Sequence, residues 1–293
     1  MLKEEVRKHW EKETCGTRYG SAENRRVYFD ELSAARYTLE PHIQTFADFP
    51  ASKGKSVLEI GVGAGADFLN WCVHAGHATG LDLTQSAVDL TRERLILNSV
   101  PTSRYALFAA DAEDLPFDNG VFDLVYSWGT LHHTPDTERS LAEAFRVLKP
   151  GGTIKLMVYH AQSWTGLYLY LRFGVARGRL RASTRELIGQ HLESPGTKAY
   201  LPQEIEALLR LVGFSDISAY TQLGPSDLLR VARSEKYESA LYRFIWGVYP
   251  RWLVRLAGHR YGLYLLVRAG KGAGRPARDQ GDDALTPTSE EWA

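Results

Sequence analysis

Between residues 55 and 160, short apolar runs alternate with stretches of helical length. "SVLEI" reads as a strand, and "ADFLNWCVHAG" as a helix that stops at Gly76. "HATGLDL" is a second strand. "TQSAVDLTRERLILN" is a helix with Thr84 as its N-cap and Asn98 near its end. "RYALFAAD" and "VFDLVYSW" are further strands, and "DTERSLAEAFRVL" sets Leu141, Ala144, Phe145 and Leu148 on one face at i, i+3, i+4 and i+7. "KPGG" is then expected to turn the chain into the strand "TIKLMVY". Strands separated by helices of this length cannot close hairpins. They predict an α/β fold with a parallel sheet covered on both faces.

The rhythm differs outside this stretch. Residues 1–50 are mixed polar and aromatic, with helical spacing at Leu32, Ala35 and Leu39 and at Ile43 and Phe46, and read as a helical N-terminal cap. Residues 161–200 form an insertion rich in Tyr, Trp, Leu and Arg. "LPQEIEALLRLVGF" is a helix with Pro202 at its start and Gly213 after its end, and "SDISAYTQ" is a strand. A second aromatic insertion occupies 224–260, "YGLYLLVRAGK" reads as a final strand, and 271–293 have the composition of a disordered tail.

Composition excludes several classes. The chain has 293 residues, 44% of them hydrophobic, and its 35 basic and 35 acidic residues cancel. A neutral chain carries no overall electrostatic footprint for nucleic acid. Its two cysteines, Cys15 and Cys72, make neither a disulfide framework nor a structural zinc site, and fit a reducing cytoplasm. The charged opening "MLKEEVRKHWEKETCG" lacks the apolar core of a signal peptide. No run of about 18 apolar residues is present, so no membrane span is expected.

The stretch "VLEIGVGAGADFLNW" carries the functional signal. A glycine loop between strand and helix lets a ligand approach the backbone and meet free amide groups at the helix start. Gly61, Gly63 and Ala66 match G-x-G-x-x-A, a dinucleotide reading that leads to hydride transfer. Glu59, Gly61, Gly63 and Gly65 match E-x-G-x-G-x-G, which leads to S-adenosylmethionine (SAM). Asp82 ends the second strand and suits ribose hydroxyls under either reading. Asp111 and Ala112 end the third, where a carboxylate can accept from an adenine amine and a backbone N–H can donate to the ring.

The order "VLEIGVGAG… LDLT… DAEDLPFDNGVFDLVYSWGTLHHTPD… RVLKPGG" resembles the class I SAM-dependent methyltransferases, in particular the methyltransferase type 11 group with its ubiquinone and menaquinone enzymes. The resemblance covers residues 55–160, with 202–220 and 261–269 in support. It implies a Rossmann-like, seven-stranded, mostly parallel sheet whose last strand is antiparallel and inserted beside the sixth. The domain would span 51–270, with a lid from the insertions at 161–200 and 224–260. By the same resemblance Glu59, Gly61, Gly63 and Gly65 form the methionine-side loop, Asp82 and Leu83 hold the ribose, Asp111 and Ala112 hold the adenine, and Ser127 and Trp128 face the methionine. Tyr19 and Arg36 of the cap would close over that end, Arg36 meeting the SAM carboxylate. Both insertions exceed those of short family members, so the acceptor is not carried over from the quinone enzymes.

His132 and His133 follow the fourth strand, where the transferred methyl would lie. Methyl transfer needs alignment and, for a hydroxyl, thiol or protonated amine acceptor, a base. Histidine has the right range, and His133 is the preferred base with His132 ordering the loop. The insertions mix Trp, Tyr and Leu with Arg, which suits a roof over a substrate cavity or contact with a membrane surface. The expected activity is methyl transfer to a small organic acceptor, with no metal. The alternatives are cyclisation or lysis of SAM, a binding protein on the same fold, and a NAD dehydrogenase.

Overall fold

The structure is a computed structural model that describes residues 2–230 and 249–273. Its centre is one sheet. Strands β1 (Ser56–Ile60), β2 (His77–Asp82), β3 (Tyr105–Ala109), β4 (Phe122–Trp128) and β5 (Leu148–His160) are parallel. A two-residue strand, β6 (Ala199–Tyr200), pairs with the end of β5. The last strand, β8 (Tyr264–Gly270), runs antiparallel between β5 and β7 (Ser215–Gln222), giving the order β3-β2-β1-β4-β5-β8-β7. Seven long strands thus lie in the expected arrangement. The extra strand β6 comes from within the first insertion.

Central strands bury both faces, as their near-continuous apolar runs require. Val57, Leu124, Tyr126, Met157 and Tyr159 face one apolar layer, and Leu58, Val125, Leu156 and Val158 the other. Helix α6 (Thr137–Val147) and helix α9 (Pro202–Val212) cover the second layer with Leu141, Ala144, Ile205 and Leu209. Helix α4 (Ala66–His74) covers the first with Phe68 and Trp71. Helix α5 (Gln85–Leu97) begins as its sequence requires: Thr84 accepts from the Ala87 amide.

Two turn assignments need correction. "KPGG" lies inside β5: Phe122 pairs with Leu148 and Leu124 with Thr153, so the segment is a bulge in a continuing strand. The helix α4 ends at His74, before Gly76. Gly76 is small for another reason, since a Cβ there would come within 2.8 Å of the Gly54 backbone.

The cap is helical, with α1 (Leu2–Lys12), α2 (Arg25–Leu39) and α3 (His42–Ala47). Asn24 caps α2, which buries Phe29 and Leu32. Buried Arg94 ties α5 to α2 by donating to Ser33 Oγ at 2.7 Å and to the Phe29 carbonyl.

The first insertion contains α7 (Trp164–Leu169) and α8 (Thr184–His191). Of the second, residues 224–230 and 249–260 are described, including α10 (Arg251–Leu256), while 231–248 lie outside the described residues. Asp227 pins both insertions to the sheet. Fully buried, it accepts from the Thr165 amide and hydroxyl, the Gly224 amide and the Leu263 amide. The expected tail starts docked, because Lys271 Nζ donates to the Phe145 and Leu148 carbonyls at 2.7 Å. Residues 274–293 lie outside the described residues. Among the described residues, no helix is long and apolar enough to cross a membrane.

Candidate active site

The carboxyl ends of β1, β2 and β4 converge on the glycine loop. Gly61, Gly63 and Gly65 all have positive φ, at 89°, 51° and 74°, a conformation that L side chains resist. Their surroundings differ. A Cβ on Gly61 would fall 1.9 Å from Thr130 Oγ1, and one on Gly65 2.8 Å from Thr91 Oγ1. At Gly63 the nearest atom would be the Cys15 carbonyl oxygen, 3.9 Å away, so this residue faces open space beneath the cap. The Gly63 amide donates to Asp82 Oδ2 at 3.1 Å, and the Thr84 amide and hydroxyl donate to Oδ1 at 3.0 and 2.9 Å. Burial nonetheless raises the Asp82 carboxyl above its ordinary value. Half-buried Leu83 follows it.

Glu59 is 3% exposed, and its Oε2 has no hydrogen-bond partner among the described residues. Burial, and then the neighbouring Asp67, push its carboxyl well above the usual range. Ser127 is fully buried with an equally unpartnered Oγ. Trp128 is buried between His42, Phe46 and Tyr264.

Arg36 is not poised for an external carboxylate. Its Nε lies 2.9 Å and its Nη2 2.5 Å from the two oxygens of Asp67, with Glu40 at 3.4 Å from Nη1. Asp67, in the first turn of α4, also accepts from Tyr37 and Tyr126 at 3.0 and 2.9 Å. This hub locks the cap to the glycine-loop helix. An acid opening the helix after three glycines was a readable signal that sequence reasoning passed over. Tyr19 lies in the short helical turn Thr17–Tyr19, half-buried, with the Arg18 guanidinium 5.6 Å from its ring centre.

On the third strand's side, Asp111 Oδ1 accepts from the Glu113 amide at 2.9 Å. Its Oδ2 lies 2.5 Å from Lys3 Nζ, which is equally close to Glu113 Oε2. The first helix therefore reaches the acid expected to read adenine. Ala112 beside it is buried.

The histidine pair forms a short helical turn, Leu131–His133. His132 is fully buried, its ring lacks a hydrogen-bond partner among the described residues, and it packs at 4.2 Å between the His133 and Tyr159 rings. Burial first, and then His133, lower its pKa well below the ordinary value. A ring with no hydrogen bond does not order a loop by bonding, so its contribution there is packing. His133 is held differently. Its Nδ1 lies 2.9 Å from Ser194 Oγ and 3.0 Å from Thr197 Oγ1, and its Nε2 is 3.0 Å from Glu193 Oε2. Trp10 of α1 meets its ring edge-on at 5.3 Å. Burial acts to raise the Glu193 carboxyl, but His133 and Tyr159 outweigh it and hold the group below its usual value. Tyr159 stacks 6.3 Å from Tyr264, whose hydroxyl donates to Glu40. Glu193, Tyr159 and Glu40 carried no motif in the sequence. Glu193 reaches Tyr159 because β6 returns the first insertion to the end of β5, and Glu40 arrives from the cap through Tyr264.

The chain resembles known proteins over its central sheet. Residues 58–156 match the family described as "Methyltransferase domain". The chain is 39% identical over 125 residues to the phthiotriol/phenolphthiotriol dimycocerosates methyltransferase of Mycobacterium tuberculosis, covering 42% of this chain and 43% of that protein. It is 31% identical over 135 residues to the 27-O-demethylrifamycin SV methyltransferase of Amycolatopsis mediterranei, covering 44% and 48%. These alignments span less than half of each relative. Geranyl diphosphate C-methyltransferase from Streptomyces coelicolor, solved with Mg2+, geranyl diphosphate and S-adenosylhomocysteine, shares the fold at a TM-score of 0.59 and 16% identity, covering 92% of this chain and 98% of that one.

Proposed function

We propose that this chain, which carries a methyltransferase domain over residues 58–156, binds SAM and transfers its methyl group to a small organic acceptor. The observation that carries the reading is the row of acids around one open glycine. The Gly63 amide is bonded to Asp82, and Glu59 Oε2 and Ser127 Oγ are buried without partners among the described residues at the carboxyl ends of the neighbouring strands β1 and β4. Buried polar atoms are rarely left unbonded, so a polar ligand is the natural partner for these.

The residues fit SAM. Asp82, with lone pairs beyond its present bonds, would take the ribose hydroxyls. Glu59 and Ser127 would meet the amino-acid end, and Gly63 gives the backbone approach. Asp111 and the Ala112 amide would read the adenine, with Lys3 over them. When bound, SAM supplies an electrophilic methyl on a positive sulfonium. Arg36 acts indirectly in this reading, by holding α4 through Asp67 rather than by gripping the ligand.

His133 is the base. Glu193, kept ionised, orients its Nε2 edge, and Ser194 and Thr197 fix the opposite nitrogen. His132 and Tyr159 form the wall behind it, and Trp10 excludes water from its edge. With the Nε2 hydrogen turned to Glu193, Nδ1 carries the lone pair, and the proton of an acceptor hydroxyl, thiol or ammonium would reach it in place of, or relayed through, the Ser194 hydroxyl as the new bond forms. The cysteine usage supports a cytoplasmic setting.

Product analysis tests the reading. Purified protein incubated with SAM and an extract of its own cell should yield S-adenosylhomocysteine and a product heavier by one methyl group. Methylthioadenosine would instead identify cyclisation or lysis, and neither product would identify a binding protein.

A further inference from the structure

Two segments have a composition unlike the rest of the chain. Residues 161–185 and 249–261 hold eight arginines and no Asp or Glu, although the whole sequence balances 35 basic against 35 acidic residues. Six of these arginines are exposed, among them Arg177, Arg181 and Arg255. The same segments hold eight of the sixteen large hydrophobic residues exposed among the described residues, led by Leu256 at 76%, Trp252 at 69% and Leu180 at 64%. The segments are neighbours. The Trp164 and Tyr261 rings lie 6.2 Å apart, Asp227 accepts from Thr165 and from the Leu263 amide, and Tyr249 donates back to the Asp227 carbonyl.

We propose that these two segments together form a face that docks on an anionic lipid bilayer. Scattered exposed apolar residues are ordinary, but their concentration on two adjacent segments marks a binding surface. The mixture selects the occupant. Leu and Trp side chains gain by entering the headgroup–acyl boundary, and arginines gain from anionic headgroups while their stems lie on apolar surface. A nucleic acid would use the arginines but leave the leucines in water. Arg179 and Arg185 pair with Glu186 and Glu204 at the edge of the face, and Arg177, Arg181, Arg255 and Arg260 are the exposed arginines it offers to headgroups. The face borders the catalytic pair, since Ser194 and Thr197 of the same insertion hold His133. An amphiphilic acceptor is the class such placement serves. That corollary rests on the methyl-transfer reading, and the docking does not.

The test is co-sedimentation of the full chain with vesicles, without SAM. The vesicles are phosphatidylcholine alone, or an equal mixture with phosphatidylglycerol. Binding is expected to the anionic vesicles, weakly to the neutral ones, and to fall with added salt. The double variant Trp252→Ser/Leu256→Ser should lower vesicle affinity by about tenfold or more. Arg177→Gln/Arg181→Gln should lower it by about fivefold per charge removed. Both variants alter exposed residues and should keep the wild-type melting temperature and S-adenosylhomocysteine affinity, whereas loss of these in one leaves the other to decide. No binding to anionic vesicles would overturn the proposal. So would equal binding to both vesicle types, unchanged binding by both variants, capture by single-stranded RNA in place of vesicles, or a dimer dispersed by Trp252→Ser/Leu256→Ser.

Discussion

Lys3 Nζ sits 2.5 Å from Asp111 Oδ2, although 108 residues separate them in sequence. The contact latches the first helix over the end of the third strand, where adenine is expected. The bond is half-buried, and a pair this open to solvent screening contributes about 1 kcal/mol. Lys3→Ala should therefore open the latch without unfolding the protein. Stopped-flow binding should show S-adenosylhomocysteine entering and leaving faster, each by up to about fivefold, with a smaller change in Kd. Unchanged rates would mean that the first helix does not gate entry.

The catalytic pair makes a separable claim. His133→Ala should leave SAM affinity nearly unchanged and lower turnover by roughly 10²–10⁴, the usual contribution of a general base. Glu193→Gln should lower turnover less and displace the pH–rate profile, because the histidine keeps its place but loses its ionised partner. Steady-state rates at saturating acceptor check both. Wild-type turnover in both variants would leave alignment alone to carry the reaction.

The glycines divide by their surroundings. Gly61→Ala would drive a methyl into Thr130 at a φ of 89° and should cost about 2–4 kcal/mol of stability by denaturant unfolding. Gly63→Ala meets open space and should cost about 1 kcal/mol, from its positive φ alone. It should nevertheless abolish tight SAM binding, because the methyl enters the space a ligand would fill. Unimpaired binding by Gly63→Ala would move the cofactor off this loop.

His42 gives a pH signature. It packs on Trp128 and Tyr264, and burial first, then the charges of His259 and Arg36, lower its pKa to about 4. The folded form resists the proton that the unfolded chain accepts near pH 6.5. Its contribution to stability is therefore present above pH 6.5 and is lost as pH falls towards 4. Because the ring is partly solvated, the loss should be about 1–2 kcal/mol. His42→Phe should lessen the fall in Tm over that window, and an unchanged slope would assign the loss to other groups.

The sheet was legible because its strands and helices have distinct periods and caps, as at Thr84 and Asp136. The glycine loop and the acids beside it were legible because both punctuate the ends of the strands. What the sequence hid is long-range. Nothing near "HLESPG" announces that Glu193 will face His133 from 60 residues away, since the pairing depends on β6 adding to the end of β5. Arg36 was read as free because its partner, Asp67, belongs to another element, and Lys3 was invisible for the same reason. "KPGG" was read as the turn from helix into strand, whereas the strand already begins at Leu148, which only its pairing with Phe122 reveals.

The central claim is that the crevice formed by Gly63 and Asp82 is a SAM site. Isothermal titration calorimetry of wild type and Asp82→Ala with S-adenosylhomocysteine and with NAD tests it most directly. Wild type should bind S-adenosylhomocysteine and not NAD, and Asp82→Ala should weaken that binding by roughly 1.5–3 kcal/mol, the value of hydrogen bonds to a charged group. Tight NAD binding with no response to S-adenosylhomocysteine, or an Asp82→Ala variant that binds as well as wild type, would contradict it.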